Sequence, residues 1–433
     1  MKIRISKRLL IGIATAAGLV CVTPCSGSDE HPDQVLEWNQ IFIDTLIATN
    51  TANSSSQRLG AIVHSAIFDA YNGIERRYTP IYVHDSAPRG ASRRAAVIAA
   101  AYTALASLFP SRLSALDASY AASLAALSDD GGDGGQSRDR GIDWGTQVAQ
   151  AVLAWRENDG FNDFQTPFNG GTAVGQWRPT PRLTPPPPTC GSMSAQGLAF
   201  TIPFGLVSNT QFQPGSPRGL TSSTYSDDFN TVKALGRGTG STRMIDQTAL
   251  APFWEGNASV HWNQAANQIA RANHVSMSNN NRLLAILNIA MADTAFTIWH
   301  AKRYYGGISS EVTWRPATSI PLADTDGNLD TTPDPDWKPL VNTPCHPEYP
   351  AGHPSQNGAA ATVLLNHFDD QQVFTLTTGL TSRTYTSIAQ ARADGNDARV
   401  WGGMHYPSTV VISDSVGEAI AEYVNQNSMQ RVH

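Results

Sequence analysis

Apolar residues recur at intervals of three and four along most of the chain, which is the spacing of amphipathic helices. The pattern predicts helices within residues 35–75, 91–127, 141–156 and 246–305, with helical structure resuming near Ser226 after a break. No alternation of period two persists over neighbouring segments, and no strand-helix-strand rhythm appears. The chain is therefore predicted to be all-α, with bundled helices around a polar pocket and long irregular loops.

The break in the helical pattern covers residues 165–222. This segment is rich in proline, glycine and serine, and Pro185 to Pro188 follow one another. Proline has no backbone N–H and cannot continue a helix. We expect the segment to run over the surface in extended form, as a long excursion and not as a linker between domains.

The first residues have the pattern of a secretory signal. Four basic residues precede an apolar run from Leu9 to Val22, which is too short for a membrane span. A buried N-terminal helix is disfavoured because of those cations, and a lipid anchor at Cys21 or Cys25 is left open. We expect a signal over residues 1–28, one domain over 29–433, no membrane span in the mature protein, and a secreted or periplasmic location.

Charge and cysteine content narrow the classes of function. The formal net charge is -6, which argues against general binding of nucleic acid but permits a locally basic pocket. Cys190 and Cys345 lie outside the signal and have no metal-site spacing. They form either a disulfide or two buried thiols, and the sequence leaves both open, as it leaves open whether the protein is a dimer.

Lys302 is predicted to face the protein core. Counting back along the helix, Ile298, Ala295 and Met291 fall on the same face as Lys302, whereas Asp293 falls on the opposite face. A lysine on an apolar face either extends its ammonium to solvent or serves a buried site. Its neighbour Arg303 is the competing cation.

Two later segments have the residues of an oxyanion site. Pro354 is favoured at the first helical position, so Gly352 and His353 should lie at a helix N-terminus, where free amides and the helix dipole attract anions. Arg399 and His405 flank a Gly-Gly turn; the arginine suits oxygen atoms and the histidine suits the central atom of the anion. Taken separately, each segment also fits an ordinary turn with a surface histidine or a structural arginine.

The conjunction of these segments resembles the signature shared by vanadium-dependent haloperoxidases and type 2 phosphatidic acid phosphatases (PAP2), in the secreted bacterial haloperoxidase branch. The resemblance covers nearly the whole mature chain. It rests on the following residues: Lys302, Arg315-Pro316, Gly352-His353, Arg399 with His405, Trp38-Asn39, Ala48 to Thr51, His64 to Tyr71, Gln176 to Thr180, Asp228 to Lys233 and the region 281–320.

This resemblance implies a cofactor, a reaction and residue roles. Vanadate would be held by Lys302, Arg315, Arg399 and the Gly352 amide, with His405 as its axial ligand and His353 as the acid-base group. Hydrogen peroxide, a halide and a small organic acceptor would be the substrates, and Lys302 would polarise the peroxide. Phosphate fits the same site, so an exported phosphatase with a phosphohistidine at His405 is the alternative. A non-catalytic oxyanion-binding protein is the third hypothesis.

The chain departs from the resembling pattern in two places. Lys302 and Arg315 are thirteen residues apart (315 - 302), where the family usually has seven, as though residues 306–311 included an insertion. Ala351 stands where the family usually has serine, which removes one hydroxyl donor. His346 matches a histidine of the resembling bromoperoxidases and favours bromide or iodide over chloride; the alternative is a loop histidine outside the site.

Overall fold

Thirteen α-helices and one β-hairpin are the main elements of the residues that the computed structural model describes, namely 33–127, 135–180, 183, 191–307 and 312–432. This agrees with the predicted all-α class. Residues Asp33–His433 belong to one unit by their contacts. The predicted signal, residues 1–28, and Cys190 lie outside the described residues.

The first nine helices lie in or close to the ranges predicted from the apolar spacing, which made no prediction for the last four. The first five are α1 Gln34–Ala48, α2 Asn53–Glu75, α3 Arg93–Leu108, α4 Leu113–Ala125 and α5 Gln136–Glu157. The next four are α6 Ser223–Leu235, α7 Ile245–Phe253, α8 Ala258–Ala272 and α9 Met277–Gly306. The last four are α10 Pro316–Ser319, α11 Gly352–Leu365, α12 Ile388–Trp401 and α13 Pro407–Asn427.

The centre of the fold is α9, which packs against α2 on one side and against α11 and α13 on the other. Its 30 residues span about 45 Å at 1.5 Å per residue. By length and composition it could cross a membrane, which the sequence-based expectation did not anticipate, but 94% of its apolar window is buried within the protein. Burial on all faces is what a central core helix requires.

Helices α11 and α13, which carry part of the site described below, approach each other very closely. A methyl group added at Gly417 of α13 would lie 1.9 Å from the carbonyl oxygen of Ser355 on α11, so no side chain fits there. The absence of a side chain lets the two backbones touch and fixes α11 relative to α13.

The proline-rich excursion is more deeply anchored than predicted. Trp177 and Leu198 are fully buried, so the expectation of a surface path is wrong for these parts. The carboxylate of Asp293 accepts hydrogen bonds from the amides of Phe204 (2.7 Å), Gly205 (2.7 Å) and residue 206 (3.1 Å). Asp293 lies on the α9 face opposite Lys302, as predicted, and its bonds to the excursion explain how a buried carboxylate is tolerated there.

The β-hairpin was not predicted. Strands β1 Phe374–Thr378 and β2 Thr381–Tyr385 pair antiparallel, with Phe374 opposite Tyr385 and Thr378 opposite Thr381. The side chain of Gln268 on α8 accepts from the Thr375 amide (2.8 Å) and donates to the Thr375 carbonyl (2.7 Å), which docks the hairpin on that helix. Five residues per strand are too few for the alternation to stand out in the sequence.

Candidate active site

Lys302 is fully buried near the C-terminal end of α9, as its helical phase predicts. Its Nζ donates to the carbonyl oxygens of Pro347 (2.6 Å) and Glu348 (3.3 Å), which leaves one of its three N–H groups without a protein acceptor. Burial, and next the charge of Arg315, hold the pKa of Lys302 well below its usual range. The competing cation Arg303 instead lies over the ring of Phe168, 5.7 Å from its centroid.

Arg315 lies at the N-cap of α10 and is also fully buried. Its Nε donates to the His346 carbonyl (3.0 Å), its Nη1 to the Met404 carbonyl (2.7 Å) and to His405 Nε2 (2.9 Å), and its Nη2 to His346 Nδ1 (2.9 Å). These contacts use four of the five guanidinium N–H groups. Burial lowers the pKa of Arg315 to about 9, so the side chain stays charged at neutral pH.

His405 follows α12 and is oriented by a carboxylate that the sequence-based interpretation missed. Its Nδ1 lies 2.9 Å from Oε1 of Glu348, so Nδ1–H donates and Nε2 carries the lone pair. Glu348 also accepts from the Tyr406 amide (3.1 Å) and from the Thr409 hydroxyl (3.1 Å). Burial, and next the charge of Arg315, hold the pKa of His405 well below its usual range, which keeps the imidazole neutral.

Burial makes the Glu348 carboxylate easier to protonate. Burial raises the pKa of Glu348 to about 7, although Arg315 and the donated hydrogen bonds act in the opposite direction. This carboxylate partly neutralises the charges of Lys302 and Arg315, and Glu255 at the cavity wall acts on Arg399 in the same sense. A glutamate between the two predicted site histidines His346 and His353 was a signal that the sequence offered.

Gly352 and His353 form the first turn of α11, as predicted, although the helix begins two residues before Pro354 and not at it. The first amides of a helix have no intrahelical partner and are therefore available to an anion. His353 Nε2 lies 3.0 Å from the Gly256 carbonyl oxygen, so Nε2–H donates and Nδ1 carries the lone pair. Burial, and next the charge of Arg399, lower the pKa of His353 well below its usual range.

Ala351 is the N-cap of α11 and has no side-chain hydrogen bond to offer to the helix amides. Its own amide donates to the hydroxyl of Ser413 (2.7 Å), which in turn donates to the Thr409 carbonyl (2.6 Å). The missing hydroxyl is therefore not replaced by Ser413, whose proton is already committed.

Arg399 lies in the last turn of α12 and is 1% exposed. Its Nη1 donates to the Trp254 carbonyl (3.3 Å) and its Nη2 to the Met404 sulfur (2.9 Å), whereas its Nε has no partner. Burial lowers the pKa of Arg399 to about 10, which leaves it charged at neutral pH. A buried N–H without an acceptor is costly unless a ligand accepts from it.

A cavity of about 400 Å³ opens onto five of the predicted site residues, whereas Lys302 and Arg315 lie behind its wall and do not line it. Its walls include the following residues: Trp299, Cys345, His346, Gly352, His353, Arg399 and His405. The ring of Trp299 lies 5.2 Å from that of His346, and its indole N–H donates to the Ser194 carbonyl (3.0 Å). His346 is thus a member of the site and not an outlying loop residue. Cys345 is disulfide-bonded.

The donor set suits a tetrahedral or trigonal-bipyramidal oxyanion. One N–H of Lys302, one of Arg315, the Nε of Arg399 and the first amides of α11 have no protein acceptor. His405 Nε2 supplies a lone pair for the central atom, if Arg315 gives up its bond to that nitrogen. Within the part of the chain that the structure describes, no three His, Cys, Asp or Glu side chains form a group that could hold a cation.

Comparison with known proteins agrees with this chemistry. Residues 282–433, which contain all seven predicted site residues, match the family model described as "VCPO second helical-bundle domain". Over these residues the chain is similar to that helical-bundle domain. No curated protein sequence matches the chain.

Solved structures extend the likeness to the whole haloperoxidase-type fold. A bacterial vanadium-dependent iodoperoxidase superposes with a TM-score of 0.76 at 21% identity, over 92% of this chain and 97% of that one. A bacterial vanadium-dependent chloroperoxidase in its holo form gives a TM-score of 0.67 at 17% identity, over 86% of this chain and 91% of that one. Its apo form gives 0.66 at 18% identity, over 86% and 92%.

Lys302 and Arg315 are thirteen residues apart, and α9 ends between them, at Gly306. Residues 308–311 lie outside the described part of the chain, whereas Arg315 and Pro316 begin the short helix α10. Lys302 and Arg315 nevertheless converge, because both donate to the carbonyl groups of residues 346–348. This loop, with Glu348 at its end, joins the two cations to His405.

Proposed function

We propose that the protein is a vanadate-dependent haloperoxidase that oxidises a halide with hydrogen peroxide to a hypohalous species. The observation that carries the proposal is the state of His405. Its Nδ1–H is fixed on Glu348, and its lone-pair nitrogen points into a buried group of cations. A neutral imidazole with a carboxylate behind it is the usual arrangement of a histidine that binds a metal centre.

The residues present fit vanadate. Lys302, Arg315, Arg399 and the first amides of α11 would bind its oxygen atoms, and His405 Nε2 would bind vanadium. When bound, vanadate supplies a Lewis acid that activates hydrogen peroxide. Phosphate has the same charge distribution and would compete for the same donors.

His353 is the proposed acid-base group. Because its Nε2–H is donated to Gly256, the Nδ1 lone pair is the atom that can take a proton from hydrogen peroxide. The lowered pKa keeps the ring neutral, and therefore able to accept a proton, at neutral pH. Lys302 carries the remaining N–H that would polarise the peroxide.

His346 supports bromide or iodide as the halide. Its ring is held between Trp299 and the Arg315 guanidinium, at the wall of the cavity that opens onto His353 and His405. The charge of Arg315 would attract an anionic halide to this wall. The preference for bromide or iodide rests on the resemblance of His346 to a histidine of bromoperoxidases. The hypohalous species would then halogenate a small organic acceptor that enters the same cavity.

Export is part of the proposal and rests on the basic and apolar pattern of residues 1–28. N-terminal sequencing of protein collected outside the cytoplasm would test it. A mature chain that still begins at Met1 would contradict processing of this segment.

Vanadium analysis and halogenation assays test the proposed activity. Protein loaded with vanadate and then dialysed should retain about one vanadium per chain and brominate phenol red in the presence of bromide and hydrogen peroxide. Hydrolysis of p-nitrophenyl phosphate by the vanadium-free protein, without any halogenation by the loaded protein, would establish the phosphatase alternative. Retained vanadium with neither activity would indicate a non-catalytic oxyanion-binding protein.

The axial role of His405 has its own test. His405→Ala removes the imidazole lone pair that is held by Glu348 and faces Arg315, so stable vanadium retention should be lost. His300→Ala is the matched control, because His300 is only weakly bonded, 3.4 Å from the Ala199 carbonyl oxygen, and lies outside the site. Tight retention by His405→Ala would show that the axial assignment is wrong.

A further inference from the structure

A short turn that the sequence-based interpretation passed over contacts two of the predicted site residues. The carbonyl of Trp254 accepts from Arg399 Nη1 (3.3 Å), and the carbonyl of Gly256, two residues later, accepts from His353 Nε2 (3.0 Å). The turn follows the C-terminal end of α7 and is neither on α11 nor on α12. One short piece of main chain therefore sets the orientation of a cation and of the acid-base histidine together.

This turn is braced by a chain of hydrogen bonds from the β-hairpin. His261 Nε2 is hydrogen-bonded to the Thr378 hydroxyl, and that hydroxyl donates to the Phe253 carbonyl (3.3 Å). Because the hydroxyl proton goes to Phe253, the His261 nitrogen must be the donor. The Phe253 carbonyl also accepts from the Gly256 amide (3.3 Å), so the chain of bonds ends at the residue that holds His353.

Packing leaves the turn little freedom to move. A methyl group at Gly256 would lie 2.7 Å from the Thr378 hydroxyl and 3.0 Å from Cε1 of His261. The indole N–H of Trp254 donates to the Tyr385 hydroxyl (3.0 Å) at the other end of the hairpin. The two strands thus hold the turn at two points, the carbonyl of Phe253 and the indole of Trp254.

We propose that the Trp254–Gly256 turn is a positioning element for the acid-base step, with Thr378 as the residue that anchors it. The turn keeps the proton of His353 on Nε2 and the lone pair on Nδ1, and it aims the Arg399 guanidinium. Its kinetic consequence rests on the proposed haloperoxidase function; its effect on the His353 tautomer does not.

The hydrogen bonds indicate that the hairpin orients His353 as well as stabilising the fold. If it only covered α8, its hydroxyl groups could be removed without changing the ring of His353. Two threonines on the same hairpin distinguish the cases: Thr378 is bonded into the turn, whereas Thr384 is exposed and bonded only to Thr375 (2.8 Å). They provide matched variants of equal size change.

The test is the nitrogen-15 spectrum of histidine-labelled, vanadium-free protein, with the His353 signals assigned by His353→Gln. In the wild type these shifts should report one neutral tautomer with the proton on Nε2. In Thr378→Val and in Gly256→Ala they should move toward the average of the two tautomers, whereas Thr384→Val should leave them unchanged. Unchanged His353 shifts in folded Gly256→Ala, judged by circular dichroism, would overturn the proposal.

Steady-state halogenation provides the second measurement. Thr378→Val should lower kcat by about 10-fold or more, because small displacements of catalytic groups have effects of this size, while KM for bromide changes less than about twofold. Thr384→Val should match the wild type. If the wild type shows no halogenation at all, the proposed function fails while the tautomer result still decides the role of the turn. An equal loss of kcat in both threonine variants would contradict the assignment to Thr378.

Discussion

Glu348 and His405 are joined by a hydrogen bond of 2.9 Å between Oε1 and Nδ1, and both side chains are shielded from solvent. The bond determines which imidazole nitrogen carries the proton, and therefore which one can bind the central atom of an oxyanion. While the Glu348 side chain accepts from His405, the main-chain carbonyl of Glu348 accepts from Lys302. A single residue thus connects the proposed axial ligand to one of the cations.

Glu348→Gln should weaken vanadate binding by about 10- to 100-fold, the usual effect of changing a partner of a metal-binding histidine. The amide oxygen can still accept from His405, but a neutral acceptor makes the ring less basic and no longer supports the charge of Lys302. Calorimetric titration of vanadate would measure the change, with Glu418→Gln as the control at a partly exposed ion pair. Equal vanadate affinity in the two variants would show that Glu348 does not contribute to cofactor binding.

Lys302→Met and the neighbouring Arg303→Met separate a cation in the site from one outside it. Loss of one charge-assisted hydrogen bond of about 1.5–3 kcal/mol predicts roughly 10- to 150-fold weaker vanadate binding for Lys302→Met. Arg303→Met should stay within about twofold, since its guanidinium lies over Phe168 and Phe200. The reverse order of effects would show that the thirteen-residue spacing had shifted the functional cation by one position.

His346→Phe tests the halide wall. The substitution removes the acceptor for Arg315 Nη2, but the bond from Arg315 Nε to the main-chain carbonyl of residue 346 remains. We expect kcat/KM for bromide to fall about tenfold, equivalent to about 1.4 kcal/mol, with vanadate affinity nearly unchanged. A loss of vanadate binding as large as the loss of activity would place His346 in cofactor binding.

Ala351→Ser would restore a hydroxyl at the N-cap of α11. One neutral hydrogen bond of about 1 kcal/mol predicts about fivefold tighter vanadate binding if the hydroxyl reaches the anion. If it caps the helix amides instead, the vanadate-free protein should gain about 1 kcal/mol of stability. Titration and thermal unfolding of the same preparation would distinguish these results, and no change in either would show that the hydroxyl reaches neither partner.

His64 should make stability depend on pH. Burial lowers the pKa of His64 from 6.5 to about 3, so below pH 6.5 the unfolded chain binds a proton that the folded protein excludes. Between pH 6 and 4 the free energy of unfolding should therefore fall by about 1.4 kcal/mol per pH unit from this residue alone. Urea unfolding of His64→Gln should lack this part of the slope, while the exposed control His84→Gln should retain it.

The sequence carried enough information for the helical framework because long apolar stripes identify helices. The core-facing position of Lys302 followed from helical phase, and the start of α11 at Gly352 was predicted within two residues from Pro354. These features depend on residue type at a local spacing, which a single sequence contains.

The anchors of the site were not predictable in the same way. His353 is held by the carbonyl of Gly256 and Arg399 by that of Trp254, and a carbonyl group is common to every residue type. The hairpin that braces this turn has strands too short for a period-two signal, and its hydrogen bonds to α7 and α8 join residues far apart in the chain. Such contacts appear only when the fold is known.

Cys345 borders the cavity as a disulfide, directly beside His346. If the protein releases a hypohalous acid there, that acid would readily oxidise a free thiol in the cavity wall. Thiolates are oxidised through sulfenic acid to irreversible sulfonic acid. A sulfur already bonded to sulfur offers no thiolate, and the nearby thioether of Met404 is fully buried. At Cys345 the cavity wall therefore presents no thiol to the oxidant that the protein would produce.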